Sequence, residues 1–378
     1  MEQVKPTIQG HVHLCQTLFR GMAENKTLMP WLDQRIWPLE AAHTPETLAV
    51  SVILSLKEII ETGSTGLLDM GSVQHSTTTI EILKQSGIRA VACNALMDKG
   101  PDFIKKPLSW LINESEQVEK NCTEQVQYGL APRFVLSCTA ELWQWLETKN
   151  KNTIRTTHAA EAPGEMADPW IAQHGGNIHL LNKLNFLGEK TLLAHCVHLQ
   201  QGELELLRQT KTAIVHCPWT NLRLGSGIAD IPELIKNNIT VMLGSDGAPC
   251  NNRLDLSGET RLAASLASVK APPGTITGKT WAGISSTKAA EFFNFTNFEK
   301  DKVYLNLTTA EQDELIRTED KQRYLNEVPR AGRVQKVECN GKVLYDHGEF
   351  PTLPKLPMSI KEARETVWNR ALALGMKP

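Results

Sequence analysis

Two histidines one residue apart, His11 and His13, are the first groups in the chain with metal-binding potential. On a strand, residues i and i+2 share a face, so both imidazoles can grip one ion. Later positions offer groups of the same kind: His158 with Glu161 three residues on, His195, His216, and Asp246 in Gly244-Ser245-Asp246-Gly247. Taken singly, each has an ordinary structural use, as a solvated His–Glu pair, a satisfied buried histidine or a turn aspartate. Taken together, His11, His13, His158 and Asp246 supply three neutral imidazoles and one carboxylate. That set suits a catalytic zinc, which takes three or four protein ligands and leaves a position for water. The metal would lower the water's pKa towards neutrality and make hydroxide available. Glu161 could then shuttle the water's proton to a leaving group, and His195 could hydrogen-bond the attacking oxygen or the oxyanion that develops. We expect one divalent ion, Zn2+ first, with Fe2+ suiting the same ligands.

For these residues to meet, the chain must bring five distant stretches together. Short apolar runs alternate with longer helical patterns almost throughout. Strand candidates fall at residues 5–10, 64–70, 88–96, 153–158, 189–195, 211–217 and 238–246, with another inside 126–138. Helical patterns lie between them, for example at 77–85, 200–210 and 231–236. Thr44-Pro45-Glu46-Thr47 reads as a helix start, with Thr44 as N-cap and Thr47 where a Glu or Gln would complete a capping box. Strands alternating with helices predict an α/β protein with a parallel sheet, and eight such units predict a (β/α)8 TIM-like barrel. In such a barrel the active-site groups sit at the C-terminal ends of the strands, where these histidines and Asp246 fall. Helices are expected over 256–268 and 275–294. From residue 301 the pattern changes to short strands at 303–307, 334–339 and 342–345, with Asn340-Gly341 as a hairpin turn. The interval 308–333 is charged and partly helical, and 359–376 reads as a helix. The expected division is a barrel over 5–300, a small, incomplete β-sandwich appendage over 301–355, and a C-terminal helix in 356–378 packed on the barrel.

The 378 residues are 41% hydrophobic and 22% charged, with a formal net charge of -2. That composition is ordinary for a globular protein and long enough to bury a sizeable core. The near-neutral balance argues against a nucleic-acid or anionic-membrane surface. No apolar stretch approaches the length of a membrane span, and the N-terminus carries no signal-peptide pattern. The eight cysteines are scattered, with no CxxC pair. Reduced buried thiols in a cytoplasmic protein are expected. The zinc-deaminase signature H-x-E with P-C-x-x-C is excluded, because Pro249-Cys250 has no second cysteine three residues on. A homo-oligomer is the default expectation for an enzyme.

Several strings together resemble the amidohydrolase superfamily, in its aminohydrolase branch of adenosine-type, methylthioadenosine/S-adenosylhomocysteine, guanine and triazine hydrolases. They are His11 to Gly21, Ala131 to Cys138, His158-Ala159-Ala160-Glu161, Ala194 to Leu199, His216 to Gly225, and Gly244 to Asn252. They run in the family's order over most of the chain. The resemblance implies a mononuclear site with His11, His13, His158 and Asp246 as ligands, Glu161 as proton shuttle and His195 polarising the attacked centre. It also implies that Glu40 matches a position holding the ribose hydroxyls in nucleoside deaminases, and that Gln16 and Arg133 resemble base-contacting positions of guanine deaminases. For Arg133 an ion pair at the barrel rim is an equal alternative. Trp31 and Trp37 are candidate pocket walls. The Gly244 to Asn252 string is similar to that of 5'-deoxyadenosine deaminases. The implied activity is hydrolytic removal of the 6-amino group from a 5'-modified adenosine, with water and a small heteroaromatic molecule as the partners. The alternatives are a guanine, pterin or s-triazine hydrolase on the same scaffold, or a non-catalytic barrel relative. Compared with the family pattern, residues 303–345 look like half a sandwich without partner strands, as expected either of a truncated N-terminus or of a remodelled small domain covered by 308–333, and the segment after Cys138 is short. Trp219 replaces a small polar residue and is expected to narrow the pocket.

Overall fold

The computed structural model describes residues 1–377. A short strand, β1 (Glu2–Val4), precedes eight strands in one parallel sheet: β2 (Thr7–Val12), β3 (Ser64–Asp69), β4 (Arg89–Leu96), β5 (Val126–Pro132), β6 (Ile154–Ala159), β7 (Thr191–His195), β8 (Ala213–His216) and β9 (Val241–Leu243). Each pairs with the next in chain order, with helices in the connections, as the alternating pattern predicts. The barrel closes where Asp246 N donates to His11 O at 3.1 Å and Val12 bridges Asp246 in parallel. The last strand is shorter than its apolar run because Gly244 lies flat against β2. A Cβ there would sit 2.6 Å from His11 O, so the chain leaves the sheet at that point. Ile8, Leu68, Val91, Ala131, Leu192, Val215 and Met242 fill the barrel interior together with Phe293 and Phe295.

The helix Pro45–Glu61 shows how local chemistry sets an element that the site depends on. Thr44 Oγ1 accepts from Thr47 N at 3.3 Å, and Thr47 Oγ1 accepts from Thr44 N at 2.8 Å. Threonine therefore completes the reciprocal cap in place of Glu or Gln. Ser51 and Ser55 on this helix both donate to Leu14 O, at 3.0 Å each, which fixes the turn leaving His13. The expected helix over 275–294 is instead two, Gly278–Ile284 and Thr287–Phe292. Ser285 O accepts from Ile8 N of β2 at 2.9 Å, so a sheet hydrogen bond replaces a helical one at the break.

A second, antiparallel sheet has the order β1-β10-β11-β12, where β10 is Lys302–Leu305, β11 Val334–Cys339 and β12 Lys342–Asp346. It corrects the expectation of unpartnered strands in two ways. Residues Glu2–Val4 form β1, which pairs Val4 with Val303. The sheet is also not completed by a facing sheet. Its Val303, Leu305, Val334, Val337 and Leu344 share one buried cluster with Val52, Leu56, Ile59 and Ile60 of the helix Pro45–Glu61. The charged interval forms helices Thr309–Arg317 and Lys321–Glu327. The latter is tied to the barrel side, with Asn326 Nδ2 donating to Gly278 O at 3.0 Å and Gly278 N to Asp320 Oδ2 at 3.1 Å. The C-terminal helix Ile360–Ala373 docks through Arg370 Nε on Ala42 O at 2.7 Å. No helix among the described residues is long and apolar enough to cross a membrane.

Because helix and sheet share that cluster, truncating a side chain inside it should weaken both. Leu56, fully buried, should lose ~2–5 kcal/mol of stability as Leu56→Ala. Chemical denaturation read by tryptophan fluorescence measures it, and an unchanged midpoint would contradict the shared core.

Candidate metal centre

Three strand ends meet at one mouth of the barrel. His11 lies on β2 and His13 just after it, His158 lies on β6, and Asp246 follows β9. Their ligating atoms all fall within 4.8 Å of one another. Asp246 Oδ1 lies 3.5 Å from His11 Nε2 and 3.3 Å from His13 Nε2. His158 Nδ1 donates to Arg133 O at 2.6 Å. That bond fixes the tautomer and leaves the Nε2 lone pair facing His13 Nε2 at 3.2 Å. Both ring nitrogens of fully buried His11 and Nδ1 of His13 have no hydrogen-bond partner. Burial lowers the His11 pKa to about 4 and holds His158 well below the ordinary histidine value, so both are neutral at physiological pH. Burial works against ionising Asp246, but its contacts with His11 and His13 outweigh it and hold the carboxyl well below the usual range. A dry cluster of neutral imidazoles and a carboxylate, with acceptors aimed at one point and no proton to share, fits a divalent cation.

Beside this cluster stand Glu161 and His195. Glu161 Oε2 lies 3.5 Å from His195 Nε2. His195 Nδ1 donates to Asn221 Oδ1 at 2.9 Å, which turns Nε2 towards the cavity side occupied by Glu161. Burial, with Asp246 and Glu165 adding to it, raises the Glu161 carboxyl well above its ordinary value, so it holds a proton more readily than a free glutamate. The backbone here is strained. Ala160, His195, Cys196 and Asp246 all adopt positive φ, of 49°, 74°, 48° and 57°. Such conformations cost about 1–3 kcal/mol each and concentrate at functional sites. They turn the chain sharply at the strand ends, where straight strands would carry the side chains past the centre.

The cavity above the cluster is lined by His13, Gln16, Leu28, Met29, Trp31, Leu32, Arg133, Phe134, His158, Glu161, Glu165, His195, Leu224 and Asp246. Gln16, Arg133 and Trp31 therefore stand where the sequence placed them. Glu40 and Trp37 do not reach the lining. Glu40 lies behind it, with Oε2 accepting from Arg133 Nη1 at 2.5 Å and Oε1 from Arg133 Nη2 at 3.1 Å and Gln16 Nε2 at 2.8 Å. Burial alone would raise the Glu40 pKa, yet Arg133 lowers it. The rim ion pair considered for Arg133 is real, and it is buried. Trp37 packs into the main core, 5% exposed. Trp219 is 46% exposed and outside the lining, so it does not narrow the pocket as expected. It projects from the outer side of the short helix Pro218–Arg223, whose inward residues are Thr220 and Asn221. Gly247 makes room for Gln16, since a Cβ there would lie 1.9 Å from Gln16 Oε1. His216 is buried but not part of the lining.

Two functional neighbours escaped the sequence reading, Asn221 and Glu165. Asn221 sits inside the quoted His216 to Gly225 string, but nothing in that string says which strand end it faces. Glu165 follows Glu161 by four residues in a loop, where spacing carries no directional information.

Two outcomes follow. Glu40→Ala leaves a buried guanidinium without its counter-charge and should cost ~3–5 kcal/mol in chemical denaturation. Purified protein should carry one divalent ion per chain by elemental analysis, and His158→Ala or Asp246→Ala should drop it below about one tenth.

Comparison with known proteins finds a family for the chain. Residues 7–344 match the model of the amidohydrolase family. The 5-methylthioadenosine/S-adenosylhomocysteine deaminase of Moorella thermoacetica is 30% identical over 357 residues, covering 92% of this chain and 82% of that protein. The 5'-deoxyadenosine deaminase of Methanothrix thermoacetophila is 33% identical over 269 residues, covering 70% of this chain and 62% of that protein. Among solved structures, an adenosine deaminase from Xanthomonas campestris with bound zinc superimposes with a TM-score of 0.85 at 23% identity, over 98% of this chain and 86% of its own. Guanine deaminase from C. acetobutylicum with bound guanine gives 0.80 at 22% identity, over 92% and 87%.

Proposed function

Because the chain belongs to the amidohydrolase family, we propose that it is a metal-dependent aminohydrolase that removes the 6-amino group of an adenosine-type nucleoside, 5'-deoxyadenosine or another 5'-modified adenosine. One observation carries this reading: His13, His158 and Asp246 of the four-residue cluster, together with Glu161 and His195, line a single cavity, with His11 completing the cluster behind them. The relatives named for such nucleosides support the choice of ring and substituent. Held by His11, His13, His158 and Asp246, a divalent ion, zinc in this reading, supplies the Lewis acidity that brings the pKa of water towards neutrality.

The chain's own groups do the rest. Glu161 accepts one proton of the attacking water at its carboxylate and delivers it to the ring nitrogen beside the attacked carbon; it then takes the remaining proton from the added hydroxyl and passes it to the departing amine, which leaves as ammonia. The water's oxygen stays on the ring as a carbonyl. With Nδ1 donating to Asn221, neutral His195 presents a lone pair at Nε2. It accepts a hydrogen bond from the attacking water and so aims the water's oxygen at the ring carbon. Gln16 and Arg133 face the edge of the ring, while Leu28, Trp31, Leu32, Phe134 and Leu224 cover its faces and exclude bulk water.

A second reading is favoured by one specific feature. Both oxygens of Glu40 are already engaged by Arg133 and Gln16, behind the lining. A ribose diol would have to reach past Gln16 and Arg133, which line the cavity in front of that carboxylate, and this favours a ring recognised without its sugar: guanine, a pterin or an s-triazine.

Ultraviolet absorbance of zinc-loaded protein with 5'-deoxyadenosine, 5'-methylthioadenosine or guanine decides between the readings. Loss of the adenine band is expected, with Glu161→Gln slower by ~10²–10⁴-fold. Turnover of guanine alone would establish the second reading. No change in any of them with full metal occupancy would overturn both.

A further inference from the structure

The loop that carries Glu161 has no regular structure to hold it. After β6 the chain passes through Ala160 at φ 49° and reaches the next helical turn only at Pro163. One side chain stands in for the missing backbone partners. Glu165 Oε1 accepts from Glu161 N at 2.7 Å and from Ala162 N at 2.8 Å. Its other oxygen, Oε2, accepts from Asn177 Nδ2 at 2.6 Å. Asn177 is the first residue of the helix Asn177–Lys183, and that helix is itself anchored. Glu203 Oε1 accepts from Ile178 N at 2.7 Å and His179 N at 3.2 Å, and Glu203 Oε2 from Gln200 N at 2.7 Å. Two carboxylates thus form a relay of hydrogen bonds from the segment after β7 to the backbone of Glu161. The Ala160 carbonyl is held from the same segment after β7, accepting from Val197 N and His198 N at 2.9 Å each.

We propose that Glu165 is a positioning residue for the reaction: by clamping the Glu161 and Ala162 amides against Asn177, it fixes where the Glu161 carboxyl stands relative to His195 and the metal ligands. Glu165 acts through Glu161, and its contribution is geometric. A glutamine can therefore replace it. The side chain introduced by Glu165→Gln keeps an oxygen for the two amides, and its NH2 can donate to Asn177 Oδ1, which has no partner at present, once the Asn177 amide rotates. Alanine removes the clamp altogether.

The inference rests on the aminohydrolase reading but not on which ring is turned over, so the test uses whichever substrate the wild type deaminates. Glu165→Ala, loaded with metal to the wild-type level, should lose ~100-fold in kcat, the cost of a misplaced catalytic group, with KM within about threefold. Glu165→Gln should recover kcat to within ~5-fold of wild type, and Glu165→Ala added to Glu161→Gln should cause no further loss, because both changes remove one function. Should Glu165→Ala not fold, Asn177→Asp sets a carboxylate against Glu165 and should lower kcat by ~10-fold at unchanged KM. Four results would overturn the proposal: kcat of folded, metal-loaded Glu165→Ala within threefold of wild type, an Asn177→Asp kcat at the wild-type level, a loss that multiplies with that of Glu161→Gln, or a Glu165→Gln as slow as the alanine variant. A wild type inactive on every ring would instead strike at the aminohydrolase reading itself.

Discussion

Four lone-pair-bearing groups packed into a dry space repel one another unless a cation joins them, and the top of this barrel is built around that condition. Ring nitrogens of His11 and His13 have no proton partner, His158 spends its one N–H on Arg133 O, and Asp246 is ionised. An unsatisfied buried polar group costs about 1–3 kcal/mol. The cluster has the make-up of a ligand set. The strand ends are bent around it. Asp246 both closes the barrel through its backbone N–H and turns its carboxylate inward from a left-handed conformation. The same residue is thus a structural seam and a member of the cluster, so the closure of the fold and the geometry of the site are not separable.

Around the cluster the chain uses buried carboxylates in three different ways, and their neighbours explain the differences. Asp246 faces imidazoles and is held ionised. Burial first, and then the carboxylates of Asp246 and Glu165, push Glu161 towards its protonated form. Glu40 meets the Arg133 guanidinium in a two-pronged pair that keeps it charged and fixes Arg133 at the cavity wall. The same functional group is therefore ionised in one place and protonation-prone in another, according to its burial and the charge of its partners. Arg133 also links the cluster to Glu40, because its carbonyl orients His158 while its side chain stands against Glu40.

Much of this was legible in the sequence because it depends on periodicity and on residue type. The eight strands follow from apolar runs alternating with helical spacing, and the ligands follow from histidines and an aspartate falling at the ends of those runs. What stayed hidden depends on contacts across the chain. β1 is three residues long and becomes a strand only by pairing with β10, some 300 positions away. The break at Ser285 arises because Ile8 takes its carbonyl. Trp37 and Trp219 each open or nearly open a short helix, yet one is buried and the other exposed, because the helix Trp37–Ala41 is buried at every residue while Pro218–Arg223 buries only one side. Family resemblance located Glu40 but not its partner, because the pairing with Arg133 spans 93 positions.

The small sheet makes the same point from the energetic side. Judged by its strands alone it has too few layers to bury its apolar face, and unpaired edges or an open face would invite aggregation. The helix Pro45–Glu61 removes the difficulty by serving two masters: one part of its surface covers the sheet, while Ser51 and Ser55 hold the turn after His13. The turn that orients two metal ligands is thus fastened to a helix whose stability draws on the appendage. An appendage remote from the chemistry can in this way contribute to the precision of the site, through packing rather than through any contact with substrate.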